Sequence, residues 1–116
     1  MATVYRYGGR PILSIDGGVI YSYAGGARYE LRGNVVSRYA GANLFEINGN
    51  YIARYAGPNL YELSGSTFSG YGRGAIAQVA GGVISSYGGA GQYQISGSLS
   101  QKELMAVLAI LYTNNL

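Results

Sequence analysis

The stretch Tyr51-Ile52-Ala53-Arg54-Tyr55-Ala56-Gly57-Pro58-Asn59-Leu60-Tyr61-Glu62-Leu63-Ser64-Gly65-Ser66 decides the fold, because its pattern returns every sixteen residues without insertion or deletion. Six such units run from 3 to 98. Their fifth column is always Tyr: Tyr7, Tyr23, Tyr39, Tyr55, Tyr71 and Tyr87. Their fifteenth is always Gly, and their seventh is Gly except for Arg73. The second column (Val4, Ile20, Val36, Ile52, Phe68, Ile84) and the thirteenth (Ile15, Leu31, Ile47, Leu63, Val79, Ile95) are always apolar. A fixed period of this kind marks a repeat architecture.

The two Gly columns lie eight residues apart and cut each unit into two halves. Each x-Gly pair, such as Asn48-Gly49 or Ala56-Gly57, has the chemistry of a two-residue hairpin turn. The six residues between turns are rich in Val, Ile, Tyr and Phe, as strands prefer. Strands are expected near 10–15, 18–23, 26–31 and every eight residues thereafter to 90–95. Centred on Asn48-Gly49, the pairing sets Glu46 against Tyr51 and Phe45 against Ile52. Centred on Ala56-Gly57, it sets Arg54 against Asn59 and Ile52 against Tyr61.

The fold expected is all-β: an antiparallel meander of about twelve short strands from six hairpin repeats, rolled or barrel-like, plus one C-terminal α-helix. The second, eleventh and thirteenth columns share a face and form the expected core. The rival is a parallel solenoid with one coil per repeat. It would stack Glu30, Glu46 and Glu62 about 4.8 Å apart, an unfavourable ladder of like charges. A propeller would need longer periodic links between blades.

After Gly97 the pattern becomes helical. Ser100-Gln101-Lys102-Glu103 matches a capping box, Leu104 to Tyr112 follows, and Asn114-Asn115 can end the helix. Residues 1–98 thus form the repeat sheet and 99–116 a helix packed on the same domain. The helix is apolar on nearly every side. That surplus points to a homo-oligomer held by Leu104, Leu108 and Leu111, unless the sheet rolls around the helix and buries it within one chain.

Composition limits the chemistry. The 116 residues include no Cys, His or Trp, 20 Gly and 13 Tyr, with Lys+Arg 8 against Asp+Glu 5. This excludes disulfides, thiol chemistry and His or Cys metal sites. Glu30, Glu46 and Glu62 share one repeat column and so one environment, whereas paired catalytic carboxylates need unlike ones. No enzyme, cofactor or metal is expected. Gly70-Tyr71-Gly72-Arg73-Gly74 resembles a phosphate loop only superficially, since strands flank it on both sides. The arginines are scattered along the chain and Lys102 is the one Lys, so nucleic acid is not an expected partner. The N-terminus carries no signal-peptide pattern, and the longest apolar run is too short to span a bilayer. A cytoplasmic protein without membrane attachment is therefore expected.

The Tyr/Gly hairpin repeat resembles in style the choline-binding repeats of bacterial cell-wall proteins, which hold their ligand in aromatic cages. The chain departs from them in lacking Trp and in its shorter unit, so no ligand is carried over.

The expected function is self-assembly or protein binding without catalysis, since Tyr is favoured at interfaces. The alternative is a sugar- or nucleotide-binding module using a Tyr/Arg surface. Candidate ligand residues are Arg38, Arg54, Tyr55, Tyr71 and Arg73. Arg73 stands out because unit five breaks the repeat there.

Overall fold

The computed structural model describes residues 1–113. The chain forms twelve antiparallel strands in one closed barrel, in simple meander order, with β1 paired to β12. The strands are β1 (Ala2–Arg6), β2 (Pro11–Asp16), β3 (Val19–Ser22), β4 (Ala27–Arg32), β5 (Val35–Arg38), β6 (Asn43–Asn48), β7 (Tyr51–Arg54), β8 (Asn59–Ser64), β9 (Thr67–Gly70), β10 (Ala75–Ala80), β11 (Val83–Ser86) and β12 (Gly91–Ser96). One helix, α1 (Gln101–Tyr112), follows. The meander excludes the solenoid, and the residues facing the lumen are those of the second, eleventh and thirteenth columns.

Two details of register differ from the sequence reading. Ile47 pairs with Ile52 and Asn48 with Tyr51, so the loop is Gly49-Asn50 rather than Asn48-Gly49. Phe45 accordingly faces Arg54. Gly49 has φ +62°, and placing it first in the loop gives the positive-φ position to the residue without a side chain. The second difference lies at the opposite end. There the links are four residues long, as in Tyr55-Ala56-Gly57-Pro58. The Gly57 N–H donates to the Arg54 carbonyl at 2.8 Å, and Ala56 takes the positive φ of +56°. Ile52 faces Tyr61 as expected, but Ala53, not Arg54, faces Asn59. Leu60 is thus the extra residue of a β-bulge. The same bulge recurs in every repeat, at Ile12, Arg28, Leu44, Leu60, Ile76 and Gln92. Bulges sharpen local twist and bend the strand. Six of them at equal intervals supply the curvature that closes the sheet.

The lumen is filled by α1. Every residue from Met105 to Leu111 is buried, and they form one cluster with Val4, Ile20, Val36, Ile52, Phe68 and Ile84 of the wall. This revises the reading of Leu104, Leu108 and Leu111 as an interface between chains. Leu108 and Leu111 are buried and Leu104 half-buried against the barrel of their own chain. A closed barrel contacts a central helix on all sides, so an all-round apolar helix needs no second chain.

The helix begins as its sequence predicts. The Ser100 hydroxyl accepts from the Glu103 N–H, and the Glu103 carboxylate accepts from the Ser100 N–H at 2.8 Å. Thr113 is the C-cap. Asn114-Asn115, the expected stop, lie outside the described residues. Extents of 37 × 33 × 22 Å make the molecule a flattened drum. Its shortest dimension matches the roughly 18 Å length of a twelve-residue helix.

Candidate functional site: the tyrosine and arginine end of the barrel

In a meander, alternate turns lie at the same end. The short Gly-first loops, the N-terminus and the start of α1 share one end of the drum. The six four-residue links and the last turn of α1 share the other. Each long link begins with the fifth-column Tyr. These six tyrosines form an outer collar, each about half exposed. The link fixes their place: the Tyr55 N–H donates to the Leu44 carbonyl and the Tyr71 N–H to the Leu60 carbonyl, both on the preceding strand pair. Tyr7 lies directly over Gly91, where a methyl group would sit 2.8 Å from the ring. Tyr71 also meets Tyr51 edge-on, with ring centroids 5.6 Å apart.

The fourth column stands inside this collar. Arg54 pairs with Phe45, Arg38 with Tyr29 and Arg6 with Tyr93, and each of these partners faces the lumen. Directly opposed residues share a face. The three arginines therefore rise from the inner side of the rim, with their side chains exposed at the mouth. Arg10, Arg28 and Arg73 lie at the same end, on the links or the first turns of strand. Six of the seven arginines thus surround one mouth. Arg32 is at the opposite end, paired to Glu30 at 3.2 Å on the outer wall. Among the described residues no carboxylate lies on the links of the arginine end, but Glu30 lines a cleft of about 360 Å³ that reaches Ala40 and Gly41 of one link. Asp16 and Glu103 are at the other end, and Glu30, Glu46 and Glu62 face outward from the wall.

The arginines that read as scattered are therefore gathered by the fold. Arg38, Arg54, Tyr55, Tyr71 and Arg73 all lie at this end. Arg6 lies with them, as do Arg10 and Arg28, which were not singled out as ligand candidates. The signal available was the period itself: adding charges link by link, with alternate links assigned to one end, collects them.

Beneath the rim, aromatic residues close the lumen. Tyr61 stacks on Phe68 at 4.9 Å, Phe68 meets Tyr112 at 5.3 Å, and Tyr93 meets Tyr112 edge-on at 6.2 Å. The Tyr112 hydroxyl donates to Gln92 Oε1 at 2.7 Å. Burial, with Tyr93 beside it, pushes the Tyr112 hydroxyl up to about 12. Burial also raises Tyr61, partly opposed by the Arg73 guanidinium. A cleft of about 370 Å³ opens beside them, lined by Leu60, Tyr61, Gly70, Arg73, Gly74, Ala75 and Ile76. The Tyr29 hydroxyl is buried with no hydrogen-bond partner among the described residues.

Glu30, Glu46 and Glu62 lie on alternate strands. No group of three carboxylates among the described residues could hold a metal ion. No helix of the described residues is long and apolar enough to cross a membrane. No protein family, curated protein or solved structure matches the chain.

Proposed function

We propose that the chain is a non-enzymatic protein-binding module that docks its partner on the tyrosine and arginine end of the barrel. The observation that carries this reading is the segregation of six arginines and six half-exposed tyrosines around one mouth whose links carry no carboxylate among the described residues. Tyr and Arg are enriched at binding hot spots while Lys is depleted, and this face has no Lys. Its broad outline, 37 by 33 Å, encloses an area of roughly 900 Å², the scale of about 800 Å² per partner in a standard interface. Self-assembly through this face is disfavoured, because a symmetric contact would oppose two sets of arginines. The partner is therefore another protein. Strands of four to six residues are shorter than the nine to eleven of a membrane barrel, which supports docking to a protein rather than insertion into a bilayer.

The cleft at Arg73 favours a second reading, a small anionic ligand held between the guanidinium and Tyr61. Native mass spectrometry with cross-linking separates the two. Protein docking predicts a discrete complex whose cross-links map to residues 7–10, 39–42, 55–58 and 71–74. It also predicts that complex to be lost in a Tyr39→Ala/Tyr55→Ala/Tyr71→Ala variant with unchanged circular dichroism. A small molecule co-purifying with the chain and lost in Arg73→Ala would favour the second. Cross-links confined to the Gly-first loops would refute the docking face.

A further inference from the structure

Unit five breaks the repeat in a way that preserves one feature. In units one, three and four an Arg occupies the fourth column and a Gly the seventh: Arg6 with Gly9, Arg38 with Gly41, Arg54 with Gly57. A methyl group on those glycines would lie 3.5, 3.3 and 3.4 Å from the arginine Cβ, so the bare glycine leaves the arginine stem its path past the link. Unit five reverses the pair to Gly70 and Arg73. A methyl group on Gly70 would lie 3.2 Å from the Arg73 Cβ and 3.5 Å from its Cδ. The Arg73 stem therefore lies across Gly70, over the place from which a fourth-column stem departs in the sibling units. Both positions have changed, yet an arginine stem still lies against the same point of the rim. Packing does not demand one, since units two and six fill the pair with Ser22/Gly25 and Ser86/Gly89.

We infer that Arg6, Arg38, Arg54 and Arg73 form a ring that reads carboxylates, and that the docked partner is an extended Glu- or Asp-rich polypeptide segment. The inference rests on the docking face proposed above. Guanidinium groups bind carboxylates in bidentate fashion, which the ammonium of Lys does not. Arg38, Arg54 and the Gly70/Arg73 pair stand at the ends of β5, β7 and β9, two strands apart each time. Two strand spacings are about 10 Å, and one three-residue turn of an extended polyproline II segment rises about 9 Å. Acidic residues at every third position of a segment in that conformation share one face and would thus meet successive arginines, with the collar tyrosines flanking the segment. Among the described residues, apart from Met1 at the opposite end, the exposed large apolar residues are all tyrosines. Among the described residues the face offers no exposed Leu, Phe or Trp for insertion into a membrane.

The test is fluorescence anisotropy of the full chain with a labelled peptide of about sixteen residues carrying Glu at every third position. Binding is expected to weaken with salt. Arg38→Gln/Arg54→Gln should weaken it by about tenfold or more, as expected when charge partners are removed. Arg32→Gln, at the far end, should leave it within about twofold. Arg73→Gly should weaken binding, and Gly70→Arg/Arg73→Gly, which gives unit five the arrangement of its siblings, should restore it. Each variant is compared only if its circular dichroism and melting match the parent. Equal affinity in the Arg38/Arg54 variant, or no recovery in the exchanged pair, would overturn the ring. So would tighter binding to oligothymidylate or to phosphatidylserine vesicles than to the peptide. If the peptide does not bind while cross-links of a partner still map to the collar, the acidic segment is wrong and the docking face stands. If neither is seen, both fall.

Discussion

The Tyr61 hydroxyl donates to the Tyr112 carbonyl oxygen at 3.1 Å, joining the barrel wall to the last turn of the helix it encloses. The carbonyls of a helix's final turn have no partner within the helix. Thr113 serves one of them, donating its N–H at 3.1 Å and its hydroxyl at 2.5 Å to Ala109. Tyr61 serves another from across the lumen. The tyrosine and arginine end is thereby tied to the plug beneath it, because Tyr61 also lines the Arg73 cleft.

Two Tyr→Phe substitutions in the eleventh column should therefore act in opposite directions. Tyr61→Phe removes the bond to Tyr112 and should cost about 1 kcal/mol. Tyr29→Phe removes a buried hydroxyl that has no partner among the described residues, and should be neutral or stabilising by up to about 1 kcal/mol. Urea unfolding of the two variants beside the parent reads the difference. A destabilised Tyr29→Phe would show that its hydroxyl is satisfied in solution.

Alkaline pH should loosen the plug. Tyr112 titrates near 12 in the fold because burial disfavours its charged form, against about 10 in an unfolded chain. The stabilisation from its neutral form is complete below pH 10. It is lost as pH rises from 10 to 12, since the unfolded chain releases its proton first. Tyr61 adds in the same direction. The melting temperature should fall across this window, and fall less steeply in Tyr112→Phe. An identical slope in that variant would remove Tyr112 as the cause.

The buried helix makes Leu108 a stability residue. Leu108→Ala should cost about 2–5 kcal/mol, the range for a cavity in a closed core. Leu108→Glu should prevent folding rather than change subunit number. A folded Leu108→Glu variant of altered mass by light scattering would instead place this side chain between chains.

Gly97 and Gly65 separate conformational strain from steric pressure. Both have positive φ, +96° and +60°. A methyl group on Gly65 meets nothing within 4 Å, whereas on Gly97 it would lie 2.7 Å from the Met1 carbonyl oxygen and 3.1 Å from the Ala2 Cα. Gly97 marks where the chain leaves β12 beside β1 and turns into the lumen. Gly65→Ala should cost about 1 kcal/mol, and Gly97→Ala distinctly more, since β1 would have to shift at the closing seam. Equal losses in thermal unfolding would show that the seam yields freely.

Much of this architecture is readable in the chain. The apolar columns at Ile52, Tyr61 and Leu63 share a face for any hairpin register that keeps their parity, so the core could be named before the register was known. The same parity hid the true loop. Moving its centre from Asn48-Gly49 to Gly49-Asn50 leaves every side chain on its original face, so the hydrophobic pattern cannot choose between them and only the φ of Gly49 does. The bulges at Leu44 and Leu60 were visible only as apolar residues on the wrong face. The candidate site was legible residue by residue in Arg38, Arg54, Tyr55, Tyr71 and Arg73. Its extent was not, because Arg10 and Arg28 join it only when links sixteen residues apart are brought to one end.

The sequence by itself determined the strand and turn periodicity, the inward columns and the capped helix after Gly97, because each depends on residues near one another along the chain. Tertiary structure alone decided that β1 closes on β12 and that α1 lies inside. Closure sums six small bends, one per bulge, and no single repeat records that they add to a full circle. The lumen that results must be filled, and the apolar helix fills it. The same closure sets the arginine-bearing links side by side, converting a sparse charge pattern into one basic face.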